Sequence, residues 1–104
     1  MFNHNIGLDM TKISRFQELK KSTAIRILST DELREFDELK SDYEKQKYLA
    51  TRWCIKEAMF KADNNIPAFD KITIIKKQGA YQHSDFMIST TDEDDLIIAV
   101  VIKK

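Results

Sequence analysis

Apolar and polar positions alternate at the start of the chain and then change period. Over Asn5 to Met10, Ile6, Leu8 and Met10 alternate with Gly7 and Asp9, the period-two pattern of a short strand. Asp9 then points away from the apolar face, and Gly7 lets another backbone or a ligand approach closely. From Thr11, read as an N-cap, to about Lys21 the spacing predicts a helix with a narrow stripe of Ile13, Phe16 and Leu19. Ile25 to Leu28 is a short apolar run carrying Arg26. Ser29-Thr30-Asp31-Glu32 reads as a helix start, with Leu33, Phe36 and Leu39 as its buried stripe. Ser41-Asp42 opens a longer helix over about 43–63, roughly 30 Å at ~1.5 Å per residue. Asn64-Asn65-Ile66-Pro67 ends it, because the residue before proline disfavours helix.

From Lys71 the pattern turns strand-like. Ile72 to Ile75 is one candidate strand, followed by a turn at Gln78-Gly79, and Ala80 to Gln82 is a second. Phe86 to Thr90 is a third, with Phe86, Ile88 and Thr90 on one face. Thr91 to Asp95 reads as a polar turn. Leu96 to Ile102, LIIAVVI, has the continuous apolar character of a strand buried on both faces. A strand, then helices, then a mostly antiparallel sheet predicts an α+β fold in a single domain spanning residues 1–104.

Composition narrows the function classes. Seventeen basic side chains balance seventeen acidic ones, so no overall basic excess favours nucleic acid. Cys54 is the only cysteine, which excludes an intrachain disulfide and gives no sign of secretion. No apolar run approaches the ~18 residues of a membrane span, and MFNHNIGLD lacks the order of a signal peptide. These features predict a cytoplasmic protein that binds neither membrane nor nucleic acid.

The candidate chemistry lies in the long helix. Arg52 to Ala62 reads RWCIKEAMFKA. Trp53, Glu57 and Lys61 fall at steps of four on one stripe, and Ile55, Ala58, Met59 and Ala62 form a core-facing side. Two readings of Glu57 and Lys61 stay open: a solvated pair of opposite charges, or a metal ligand and a phosphate clamp sharing one wall. The predicted first helix is locally basic through Lys12, Arg15, Lys20 and Lys21. Such charges either solvate a face or meet an acidic partner.

Three segments carry a resemblance. Gly7-Leu8-Asp9 with Ile13 and Arg15 looks like a GIDxxxxxR motif. Arg26-Ile27-Leu28-Ser29, Glu32-Leu33, Phe36, Tyr48-Leu49-Ala50, Arg52-Trp53, Lys56-Glu57-Ala58 and Lys61-Ala62 look like RILT…EL…F…YLA.RW..KEA..KA. Ile88-Ser89-Thr90-Thr91 with Ala99-Val100 looks like a SISH segment and closing strand. In this order and spacing the chain resembles the holo-acyl-carrier-protein synthase family, the small 4'-phosphopantetheinyl transferases.

That resemblance implies the family's fold, its activity and the roles of these residues. The family moves phosphopantetheine from coenzyme A to a serine of an apo acyl carrier protein, in support of fatty-acid synthesis. It leaves adenosine 3',5'-bisphosphate. By the resemblance, Asp9 and Glu57 are the carboxylates for a magnesium ion, and Asp9, Glu57 and Lys61 form the catalytic set. Arg52, Lys56, Lys61, Gly79 and Ser89 are the coenzyme A contacts. Arg15 is the docking arginine for the acidic carrier, with Lys12, Lys20, Lys21 and Arg26 contributing and Phe16 or Leu19 as apolar anchor. A homotrimer with sites between subunits is also implied.

The departures from the family pattern are local. Thr90 stands where the family has the SISH histidine, the glycine-rich segment after the long helix is reduced to 64–67, and Glu44 falls where a basic residue is often found. They motivate an alternative, a relative that binds the carrier but has lost transfer; a third reading is another small magnesium-dependent phosphate-ester enzyme on the same scaffold. Cys54 and Trp53 are read as packing residues, and His4 and His83 as isolated surface residues. The Asp92 to Asp95 acids lack a calcium-loop pattern and are read as a solvated turn.

Overall fold

A long helix lies across one face of a small antiparallel sheet. The computed structural model describes residues 5–104, so His4 lies outside the described residues. Strand β1 (Ile6–Lys12) leads through a 3-10 turn (Ile13–Phe16) into helix α1 (Lys21–Ile27), α2 (Thr30–Glu38) and α3 (Asp42–Ala62). A second 3-10 turn (Phe69–Lys71) precedes strands β2 (Ile75–Lys77), β3 (Ala80–Gln82), β4 (Phe86–Glu93) and β5 (Leu96–Lys103). The main sheet has the order β1-β5-β4, and β2 and β3 form a separate hairpin. The α+β expectation holds.

Local chemistry explains where the helices start. Ser29 and Glu32 form a reciprocal capping box at α2: the Glu32 N–H donates to Ser29 Oγ at 3.3 Å and the Ser29 N–H donates to Glu32 Oε1 at 2.9 Å. Ser41 caps α3 by accepting from the Glu44 N–H at 3.1 Å. The expected core side of α3 is buried throughout: Ile55, Ala58, Met59 and Ala62 pack on Ile97, Ala99 and Val101.

The alternation in β1 is observed, but its inward side is the opposite of the apolar one. Gly7 and Thr11 are buried under α3, while Ile6, Leu8 and Met10 are exposed. Strand and helix are too close for larger groups. A Cβ built on Gly7 would lie 1.8 Å from the Ala58 carbonyl oxygen. The same sidedness continues across the ladder. Ile98 and Ile102 of β5 and Met87 of β4 are exposed on the outer face, so β5 is buried on one face only in this chain.

Three further expectations are corrected. The helix from Thr11 to Lys21 does not form, because Thr11 and Lys12 pair with Ile97 and Leu96 and extend β1. Cross-strand pairing overrides the local helical spacing, and Thr11 is buried in the strand rather than capping. Helix α1 begins at Lys21 and takes in the 25–28 apolar run as far as Ile27, with Leu28 as its C-cap. Ile72 and Ile74 are buried in extended chain, but only residues from Ile75 onward have ladder partners. The polar turn is tighter than expected: β4 runs on to Glu93, leaving Asp94 and Asp95 as a two-residue connection.

Candidate active site

The fold brings together acidic and basic residues that lie far apart in the sequence. Asp9 projects from the inner face of β1 towards α3, whose Glu57 and Lys61 lie one turn apart. Lys61 Nζ donates to Asp9 Oδ1 at 3.1 Å and to the Leu8 carbonyl at 3.1 Å. Asp9 is mostly enclosed, with a side chain 15% exposed, whereas Lys61 is half open to solvent at 53%. Glu57 is half-buried. Burial raises its carboxyl above the usual range and the neighbouring Asp9 charge raises it further, while Lys61 and Arg15 act in the opposite direction. Arg15 therefore belongs to this electrostatic neighbourhood, with its guanidinium 5.1 Å from the Trp53 ring centroid.

Cys54 lies beneath the site and is closed off from it. Its thiol donates to the Asp9 carbonyl at 3.3 Å and has no exposed surface. Burial, reinforced by the Asp9 charge, pushes the thiol up to about 12, so it is not a thiolate near neutrality.

Lys56 is a correction. The sequence reading put it against coenzyme A, but it is fully buried on the other side of α3. Its ammonium donates to Glu32 Oε1 at 2.5 Å and to the carbonyls of Ile27 at 2.7 Å, Ile72 at 2.7 Å and Phe69 at 3.0 Å. Burial lowers its pKa, and the Glu32 carboxylate opposes that shift. The other Glu32 oxygen accepts from the Ile74 N–H at 2.9 Å. Lys56 thus ties α1, α2 and the 69–74 segment to α3, with no donor left for a ligand.

Arg52 stands at the wall of a different cavity, of about 540 Å³, lined also by Lys47, Tyr48, Lys76 and Tyr81. Its guanidinium lies between two rings, 3.8 Å from the Tyr48 centroid and 5.1 Å from that of Tyr81. Tyr48 donates to Glu35 at 2.6 Å, and burial raises its phenol pKa strongly. Gly79 sits in the β2–β3 turn at φ +80, with open space around it. Ser89 is exposed on the outer face of the main sheet. It pairs with Val100, which pairs in turn with Leu8. Thr90 shares Asp9's inward face two strands away, through Ala99. Within one chain, Arg52, Gly79, Ser89 and Thr90 do not join Asp9, Glu57 and Lys61.

The partner-binding candidates divide in the same way. Arg15, Leu19 and Lys20 line a hollow of about 320 Å³, together with Thr23 and Leu49. Phe16, offered as an anchor, is only 7% exposed and packs edge-on against Trp53. Lys12, Lys20, Lys21 and Arg26 are exposed, and Lys20 pairs with Glu18 at 3.1 Å. Sequence reasoning missed Glu32 as the partner of Lys56, because a capping box accounts for that glutamate without one. It also missed Asp95, whose carboxylate binds Ser14.

A sequence profile of the 4'-phosphopantetheinyl transferase superfamily matches residues 5–100, and the chain belongs to that superfamily. Among its relatives is a holo-[acyl-carrier-protein] synthase of Mycoplasma mobile, 50% identical over 99 residues, covering 95% of this chain and 88% of that one. A crystal structure of holo-ACP-synthase from Plasmodium yoelii superposes with a TM-score of 0.82 at 19% identity, covering 94% of this chain and 91% of the other. That of the Helicobacter pylori synthase in complex with coenzyme A superposes at 0.70 with 23% identity, covering 95% and 99%.

Proposed function

We propose that this chain is a holo-acyl-carrier-protein synthase, moving 4'-phosphopantetheine from coenzyme A to a serine of an apo acyl carrier protein in fatty-acid synthesis. The observation that carries this reading is the meeting of Asp9, Glu57 and Lys61 in a chain of this family. In the reaction, the carrier's serine oxygen forms a bond to the phosphorus bearing the pantetheine. The bond from that phosphorus to adenosine 3',5'-bisphosphate breaks, the serine proton leaves to a base, and the bisphosphate departs with the electron pair.

The donor set fits a magnesium ion. Asp9 and Glu57 are two hard carboxylates close enough to raise the Glu57 carboxyl, the donor type a magnesium ion takes in ones or twos. Asp9 and Glu57 would hold the ion, which supplies Lewis-acid neutralisation of phosphate charge when bound. Lys61, with its ammonium beside Asp9 and half open to solvent, would meet the charge that develops on the leaving phosphate. Arg15 adds a second cation next to Glu57. The chain needs no nucleophile of its own, since the attacking serine belongs to the carrier.

Assembly as a homotrimer is part of this proposal. Ile6, Leu8, Met10, Met87, Ile98 and Ile102 expose their side chains on one sheet face, a pattern that marks a contact surface. Ser89 lies on the same face, and sites shared between copies belong to the trimer proposal. A cytoplasmic location fits the buried, unpaired Cys54, and no helix among the described residues is long and apolar enough to cross a membrane.

The test is carrier-dependent release of adenosine 3',5'-bisphosphate from coenzyme A with magnesium. Release only with apo carrier supports transfer. Release without any carrier points to a phosphate-ester enzyme. Carrier binding with no release points to the relative that has lost transfer, the reading that Thr90 in place of the family histidine favours.

A further inference from the structure

The 3-10 turn Ile13–Phe16 carries Arg15 and Phe16 yet has no cap of its own. Lys12 precedes it and offers no side-chain acceptor to its free N–H groups. Those donors are captured from the far end of the chain. The Ile13 N–H donates to the Asp95 carbonyl at 2.8 Å and the Ser14 N–H to Asp95 Oδ1 at 3.0 Å. The Ser14 hydroxyl donates to Asp95 Oδ2 at 2.6 Å, a charge-assisted bond. Asp95 itself is fixed by the two-residue β4–β5 turn, in which Asp94 takes φ +53 and Glu93 pairs with Leu96.

This clasp orients the two residues after Ser14. Arg15 lies over Trp53 and Phe16 packs on the edge of the same ring. A four-residue turn has too few internal hydrogen bonds to hold that pose alone. We infer that Asp95 is a positioning residue: it caps the 13–16 turn and so sets Arg15 at the wall where the carrier docks and beside Glu57. The docking part of this inference rests on the proposed function.

Charge and geometry predict opposite signs here, which makes the inference testable. As a plain negative charge beside the turn that follows Lys12 and carries Arg15, Asp95 would repel an acidic carrier, and its loss would tighten binding. As a clasp, its loss would weaken binding.

The experiment compares Asp95→Ala, Asp95→Asn, Arg15→Ala and the Asp95→Ala/Arg15→Ala double variant in the full chain. The readouts are KM and kcat for apo carrier, and acrylamide quenching of Trp53, the sole tryptophan. We expect Asp95→Ala to raise KM about tenfold, with kcat changed less than about twofold and quenching increased. Asp95→Asn keeps an acceptor for the Ser14 N–H and a hydrogen-bonding partner for its hydroxyl, so it should restore both readouts. In the Arg15→Ala background, Asp95→Ala should add little further loss, the non-additivity of residues acting as one unit. A fall in KM, Asn behaving like Ala, or an equal loss in both backgrounds would overturn the inference. If the wild type forms no holo product, the functional reading fails separately. Quenching then decides the clasp alone: an increase in Asp95→Ala that Asn reverses supports it, and no change refutes it.

Discussion

The Lys56 ammonium meets the Glu32 carboxylate at 2.5 Å, and neither side chain has any exposed surface. Three backbone carbonyls complete the lysine's shell, and two backbone N–H groups share the glutamate. The pair is therefore a joint between elements.

Truncating one partner should be costly. Lys56→Ala leaves the buried Glu32 carboxylate with only the Arg52 guanidinium, 3.7 Å away, as counter-charge and should destabilise the fold by about 3 kcal/mol. At this chain length that corresponds to a fall in Tm of roughly 10 °C or more. Thermal unfolding checks it. A Tm unchanged within about 2 °C, with a selective loss of coenzyme A affinity, would restore the ligand role that the buried geometry removes.

Gly7→Ala tests the approach of β1 to α3. The added methyl would overlap the Ala58 carbonyl, which belongs to helix backbone and cannot rotate away. Strand and helix must separate, at an overpacking cost of about 1–3 kcal/mol or more. Because Asp9 is two residues along the same strand, affinity for the proposed magnesium ion should fall along with Tm. Both are measurable, by calorimetry and by scanning fluorimetry with added magnesium. Wild-type values for both would show that the contact is not tight.

The outer sheet face offers a third test. Ile98 is exposed at the centre of β5, opposite Met10 and Thr91. Ile98→Asp should leave the monomer fold intact and shift sedimentation from trimer to monomer. Activity should fall along with the trimer if sites are shared between copies. A monomeric wild type, or an Ile98→Asp trimer, would remove the shared-site proposal.

What could be read from the sequence depended on which forces dominate at each place. The core side of α3, the Ser29–Glu32 cap and the hairpin of β4 and β5 were legible, because spacing and capping chemistry are local. The meeting of Asp9 with Glu57 and Lys61 was legible only through the resemblance, since nothing local links a strand to a helix so far along the chain. The inward side of β1 was not legible. Alternation fixes two faces but not which one is covered, and here the small residues lie inside while the apolar ones wait on an outer face. The 11–21 helix failed because pairing with β5 outweighed the stripe of Ile13, Phe16 and Leu19. Lys56 was misplaced because the resemblance gives a matching lysine but not the direction in which its side chain turns. Only the packing shows that it turns the other way.

The most direct measurement is the intact mass of an apo acyl carrier protein after incubation with this protein, coenzyme A and magnesium. Parallel reactions carry a chelator or the Glu57→Ala variant, whose fold is verified by its Tm. The expected result is a gain of one phosphopantetheine on the carrier with the wild type, abolished by chelation and reduced at least about a hundredfold by Glu57→Ala. No gain with several apo carriers, or a gain that persists in Glu57→Ala under chelation, would contradict the proposed transfer.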